Sequence, residues 1–219
     1  MKSLYKYKAI LFDMDGVLLD SESIYLEALK KYLLLFSIKV KQEQLVKYIG
    51  KPIKNITKNL IKDFNLSTDE KTSIEKQIEL YDEIFYLPGK VKAMPYLENL
   101  LQSLRNNKIK TALVSSSSKS GIEMTLNILQ FKHKFNVIIS GEDVIKGKPA
   151  SECYDLALSR LNLDAEDCLV IEDSKAGITA GKSAGMEVIA FCGSKVKQDV
   201  SKADLIINSF KSLINLEID

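Results

Sequence analysis

Asp13 and Asp15 stand one residue apart, directly after the apolar run Lys8-Ala-Ile-Leu-Phe12, with Gly16 behind them. A run of that length reads as a buried strand. In an extended chain, residues i and i+2 point the same way with Cα atoms roughly 6 to 7 Å apart. Two carboxylates so placed can reach one phosphorus atom from opposite sides. That suits phosphoryl transfer, in which one carboxylate attacks while the other hands a proton to the departing oxygen, nucleophile and leaving group lying in line. Gly16 lets the backbone turn away sharply. An isolated D-x-D after an apolar run also caps strands and solvates turns, so the rest of the chain must supply the remaining groups.

Three later stretches supply them. The apolar run Ile109 to Val114 leads straight into Ser115-Ser116-Ser117-Ser118-Lys119. Small hydroxyls and free N–H groups at a strand-to-helix junction favour an anion, although a serine cluster alone also reads as a loop and helix cap. Lys146-Gly147-Lys148-Pro149 follows another strand and a polar turn. Cys168-Leu-Val-Ile171 ends in Glu172-Asp173-Ser174, with no basic residue before Lys175. Paired acids there make a hard-cation site, and Mg²⁺ prefers carboxylates together with water and phosphate oxygens. Two other patterns are rejected. Gly177-Ile-Thr-Ala-Gly181-Lys182-Ser183 is one residue short of a P-loop and lies within a helical pattern, where its small residues are better explained by packing on a sheet. Asp13-Met-Asp15-Gly16 fails as an EF-hand loop because its glycine comes too early.

FDMDGVLLDSE, the serine run, G-K-P and VIEDSKAGITAGKSAGM resemble, in order, the four signatures of the haloacid dehalogenase superfamily. The first is similar to its branch grouping beta-phosphoglucomutase with small sugar phosphate phosphatases. The resemblance implies that Asp13 is the nucleophile, Asp15 the acid and base, and Lys148 the neutralising cation. It implies Ser116 and Ser117 as phosphate contacts, with Ser115 the alternate to Ser116, and Mg²⁺ held by Asp13, the Asp15 backbone carbonyl and Asp173, with Glu172 beside or behind. Haloacid dehalogenases have no acid matching Asp15, so phosphoryl transfer is favoured. Related mutases carry a lid arginine three residues past a glycine, where counting from Gly50 gives Ile53 with Lys54 beside it, and a histidine where this chain has Tyr25. Against that, Ser118-Lys119-Ser120 resembles a mutase loop for a second phosphate, and Lys76 is a further candidate lid contact. The expectation is a phosphatase acting on a small phosphorylated metabolite, a sugar phosphate by preference. A phosphosugar mutase stands as the alternative, and a regulatory binding protein of the same fold as a third reading.

The elements that must position these residues follow from periodicity. Ile24, Ala28, Leu29, Tyr32, Leu33 and Phe36 recur at helical spacing after a cap at Ser21, and Gly50-Lys51-Pro52 breaks the pattern. Ile53 to Phe64 resumes it, Ser67-Thr68-Asp69 caps a further helix, and Pro88-Gly89 ends it. This predicts an all-helical insert at 20–87, expected to act as a lid because it follows the first strand directly. Residues 1–19 and 88–219 then form the core. From Lys92 onward helices alternate with strands, which predicts an α/β fold with a Rossmann-like, mostly parallel sheet. Helices are expected at Met94–Leu104, Lys119–Leu129, Glu152–Leu161 and Lys175–Ala184. Strands are expected at Ile109–Val114, Asn136–Ile139, Cys168–Ile171, Glu187–Ala190 and Asp204–Ile207.

Of 219 residues, 31 are basic and 29 acidic, leaving a net charge of +2. Interspersed charge of that balance calls for neither nucleic acid nor membrane as a partner. Arginine is confined to Arg105 and Arg160, so bidentate clamps on phosphate are scarce. No apolar run approaches a membrane span and no signal peptide is indicated, so a cytoplasmic protein is expected. Cys153, Cys168 and Cys192 suit unpaired thiols in a reducing compartment. The single histidine, His133, reads as a surface residue. Nothing in the sequence fixes the oligomeric state, and a monomer is compatible with it.

Overall fold

Six short apolar runs, each bounded by turn residues, form one parallel sheet in the computed structural model, which describes residues 4–49, 53–194 and 198–214. The strands are β1 (Ala9–Phe12), β2 (Lys110–Val114), β3 (Val137–Ile139), β4 (Cys168–Glu172), β5 (Glu187–Phe191) and β6 (Leu205–Ile207). Their order is β3-β2-β1-β4-β5-β6, and every pair is parallel. Central β1 and β4 are buried along their whole length, as strands covered on both faces must be. Two compact units divide the chain, one of Met1–Asp20 with Lys92–Asp219 and one of Ser21–Val91.

In the sheet unit, alternate residues feed opposite faces. Ala9, Leu11, Ala112, Val114, Val170 and Val188 share one core cluster with Cys153, Tyr154, Ala157 and Ile178. These last four come from α7 (Glu152–Leu161) and α8 (Lys175–Ser183). Gly181 allows α8 its close approach, since a Cβ there would stand 2.9 Å from Val188 Cγ2. Of the P-loop-like glycines, Gly181 is thus a packing residue. Helix α5 (Leu97–Asn106) buries Leu97, Leu100, Leu101 and Leu104, three or four residues apart, and contacts β2. It begins three residues later than periodicity predicts. Pro95 bars Met94 from helical geometry, and the Met94 N–H instead donates to the Leu18 carbonyl at 2.8 Å. Helix α6 (Lys119–Ile128) leaves the serine run, and α9 (Lys211–Ile214) closes the described chain.

Among its described residues the second unit has helices and no strand: α1 (Ser21–Leu34), α2 (Gln42–Leu45), α3 (Ile53–Phe64) and α4 (Glu70–Phe85). The predicted break at Gly50-Lys51-Pro52 lies outside the described residues. Asp69 caps α4 by accepting from the Thr72 N–H at 3.0 Å, a bond that typically contributes about 1 kcal/mol. Ser21 is the first helical residue rather than the residue before it, and α1 stops at Leu34, short of Phe36. The Ile38 N–H turns back to the Leu33 carbonyl there, with Ser37 at φ 62°. Polar groups inside this unit pair with each other: Tyr32 with Ser73 at 2.8 Å, and buried Gln77 with Thr57 at 3.0 Å.

Candidate active site

The chain runs outward from β1 through β2 to β3, then crosses back to lay β4 on the other side of β1. Ligands of open parallel sheets bind beyond the carboxyl ends of the strands at such a reversal. Asp13 follows β1 at once, and its N–H donates to the Ile171 carbonyl at 3.0 Å. That bond sets Asp13 beside the end of β4, where Glu172 and Asp173 stand.

Lys148 enters from the loop after β3, across a cis Lys148–Pro149 peptide. Its ammonium donates to Asp13 Oδ1 at 2.6 Å, Glu172 Oε1 at 2.6 Å and the Val114 carbonyl at 3.0 Å, which uses all three hydrogens. Glu172 is wholly buried. Its Oε1 also accepts from the Tyr154 hydroxyl at 3.1 Å. Its Oε2 accepts from the Asp173 N–H at 3.0 Å, the Ser174 N–H at 3.2 Å and the Ser174 hydroxyl at 3.1 Å. Two glycines make room for the acids. A Cβ at Gly177, in the first turn of α8, would overlap the Glu172 carboxylate, and one at Gly16 would overlap that of Asp173. Gly16 also has φ +80°, which side-chain-bearing residues rarely adopt.

Three carboxylates, Asp13, Glu172 and Asp173, are thus buried together, and two of them, Asp13 and Glu172, share the one buried ammonium. Burial, reinforced by the Glu172 charge, pushes Asp13 up to about 8 even though Lys148 works against the rise. Burial acts to lower Lys148, but the Asp13 and Glu172 carboxylates outweigh it and hold the ammonium well above its ordinary range. Lys148 stays charged, and the cluster retains an excess of negative charge that a divalent cation would balance. Oxygens of Asp13, Glu172 and Asp173 lie within 4.8 Å of one another. An all-oxygen donor set of that span fits a hard cation such as Mg²⁺. Both Glu172 oxygens already accept bonds, so Asp13 and Asp173 are the side chains suited to face an ion, with Glu172 behind them.

The side of the site built from β2 is more open. Ser115 is buried and its hydroxyl accepts from the Ser117 N–H at 3.1 Å, while Ser116 is exposed. The Ser117 hydroxyl donates to Asp15 Oδ2 at 3.2 Å. Lys119, at the start of α6, pairs with Asp143 Oδ1 at 3.0 Å with most of its side chain in solvent. Asp143 is held well below the usual carboxylate range by the Ser140 N–H, with Lys119 adding to the effect. In the helical unit, Tyr25 donates to Gln77 at 3.3 Å, Lys76 pairs with Glu79 at 2.7 Å, and Lys54 is exposed.

Tyr154 and Ser174 escape the sequence reading, yet both bond Glu172. A signal for Tyr154 existed: it is a polar aromatic on the buried face of the helix that follows Lys148. Ser174 is also the N-cap of α8, accepting from the Gly177 N–H at 3.0 Å, so its hydroxyl serves helix and site together. His133 is exposed, as expected. Among the described residues, no helix is long and apolar enough to cross a membrane.

Comparison with known proteins adds an independent line. Residues 10–191 match the family model described as haloacid dehalogenase-like hydrolase. A phosphorylated carbohydrates phosphatase from Thermotoga maritima is 33% identical over 187 residues, covering 83% of each chain. A bifunctional riboflavin kinase/FMN phosphatase from Arabidopsis thaliana is 34% identical over 205 residues, 91% of this chain but 52% of that one, so the present chain spans about half of that relative. The crystal structure of a Thermotoga maritima protein assigned as a beta-phosphoglucomutase superposes with a TM-score of 0.82 at 28% identity, covering 94% of this chain and 96% of the other.

Proposed function

The chain belongs to the haloacid dehalogenase-like hydrolase family, and from that premise we propose a Mg²⁺-dependent phosphatase that hydrolyses a small phosphorylated metabolite, a sugar phosphate by preference, through an aspartyl phosphate on Asp13. The observation that carries this reading is the Lys148 ammonium, 2.6 Å from both Asp13 and Glu172 at the crevice between β1 and β4. It holds a buried carboxylate in the place a nucleophile needs and supplies positive charge for the incoming phosphoryl group. A protein that only binds has no need of the second acid, Asp15.

A Asp13 oxygen attacks phosphorus, and the ester P–O bond breaks with its electron pair on the leaving oxygen. Asp15 gives that oxygen its proton. Water then attacks the phosphoryl group and passes a proton to Asp15. The bond from phosphorus to Asp13 breaks, the carboxylate is restored and inorganic phosphate leaves. Lys148 balances charge on the phosphoryl oxygens, and exposed Ser116, at the end of β2, is the serine suited to meet them, since the Ser115 N–H is spent on the Ile139 carbonyl. Asp13, Asp173 and the Asp15 backbone carbonyl would hold Mg²⁺, which would supply further positive charge to those oxygens.

Phosphatase is favoured over mutase by the chain's own residues. Where related mutases carry a histidine stands Tyr25, whose hydroxyl donates to Gln77, and Ile53 stands where they carry an arginine. Lys119 is the residue through which a second charged group on the substrate would be felt, in competition with Asp143. The free thiols Cys153, Cys168 and Cys192 support a cytoplasmic setting. Rapid quenching during turnover, followed by mass analysis of the peptide containing Asp13, tests the reading. Added phosphate on Asp13, absent in Asp13→Asn, is expected; phosphate on another residue, or on none, overturns it.

A further inference from the structure

Ser117 is pinned from both sides by its backbone. Its N–H donates to the buried Ser115 hydroxyl at 3.1 Å, and its carbonyl accepts from the Gly141 N–H at 3.0 Å, so the loops after β2 and β3 fix it together. With the backbone held, only the side-chain rotamer remains, and in it the hydroxyl donates to Asp15 Oδ2 at 3.2 Å. Asp15 is held through its own backbone as well, by a bridge to Leu19, and the Gly16 N–H donates to the Leu19 carbonyl at 2.9 Å. What the backbone cannot fix is the direction of the Asp15 carboxyl group.

From this juxtaposition we infer that Ser117 is a positioning residue for Asp15, not a phosphate ligand: its hydroxyl occupies Oδ2 and leaves Oδ1 to carry the proton to the departing oxygen. The inference rests on Asp15 being the proton donor of the proposed reaction. In that step the electron pair of the broken P–O bond goes to the leaving oxygen and the proton comes from Oδ1. A contact of 3.2 Å is long for O–H···O, so the hydroxyl guides the carboxyl rather than clamping it. The expected effect is therefore a fraction of what general acid catalysis contributes.

The test is kcat/KM, which reports the steps up to alcohol release, for an alkyl phosphate and for p-nitrophenyl phosphate. The alkoxide needs a proton to depart; the nitrophenolate hardly does. Ser117→Ala should lower kcat/KM for the alkyl ester about tenfold and for the aryl ester less than about threefold, with Ser117→Thr restoring the former. Equal losses on both esters, or no loss on either, overturn the inference, since a phosphate ligand serves both alike. Should Ser117→Ala not fold, the nearly isosteric Ser117→Cys carries the same comparison. A wild-type protein that hydrolyses neither ester nor any sugar phosphate refutes the phosphatase reading itself, before Ser117 is altered.

Discussion

The β1–β4 side of the site and the β2 side are made differently. On the first, the side chains of Asp13, Lys148, Glu172 and Asp173 are buried, and Lys148 and Glu172 each have their bonding capacity filled by several hydrogen bonds from separate segments of chain. On the second, Ser116 and Lys119 are exposed, and Asp15 is guided by one long hydrogen bond. The contrast teaches that groups meeting every substrate at the phosphoryl centre are built in advance. Groups that meet the variable part of a substrate, or must move a proton, are left adjustable. Preorganised charge costs no rearrangement at the moment of reaction.

Substitutions can break that contrast, beginning with the largest effect. Asp13→Asn should lower phosphate release by about 10⁴-fold or more while the protein stays folded, read by phosphate assay and circular dichroism. Lys148→Met leaves Asp13 and Glu172 buried without their cation, and should cost about 3–5 kcal/mol of stability in a denaturant titration. On the open side, Lys119→Ala should change stability by about 1 kcal/mol or less, because the Lys119 side chain in its pair with Asp143 is largely solvated. Its effect should fall instead on KM for substrates with a second charged group. If Lys119→Ala destabilises as much as Lys148→Met, the two sides do not differ as described.

A pH titration sharpens the same point. Asp13 is raised from 3.8 to about 8 in the folded protein. Its contribution to stability is therefore complete below the unfolded value and is lost as pH rises through about 8. The melting temperature of EDTA-treated protein should fall between pH 5 and pH 8 by reason of this group. The rise in melting temperature on adding Mg²⁺ should grow over the same interval, because the ion takes the place of a proton. A Mg²⁺ increment independent of pH would separate the cation from Asp13.

Sequence made the rigid side legible and the open side less so. A carboxylate that ends an apolar strand announces its place, and Asp13, Glu172 and Asp173 stand where strand ends must bring them. Parallel topology was legible in the alternation of helix with strand, although Pro95 delayed α5 in a way periodicity alone could not register. What four consecutive serines do is not written in their order. Ser115 turns inward, Ser116 outward and Ser117 toward Asp15, because the loop after β3 grips the Ser117 carbonyl through Gly141. Partners such as Tyr154 and Asp143 come from segments far along the chain, and their meeting with the site is a product of tertiary packing.

The most direct measurement is a joint assay of inorganic phosphate and isomerised sugar phosphate when the purified protein acts with Mg²⁺ on a panel of hexose phosphates, nucleotides and phosphoglycolate. The account predicts phosphate release that disappears in Asp13→Asn, with no isomerised product. Isomerisation without net release would contradict it, and would mean that the phosphoryl group on Asp13 returns to sugar instead of passing to water.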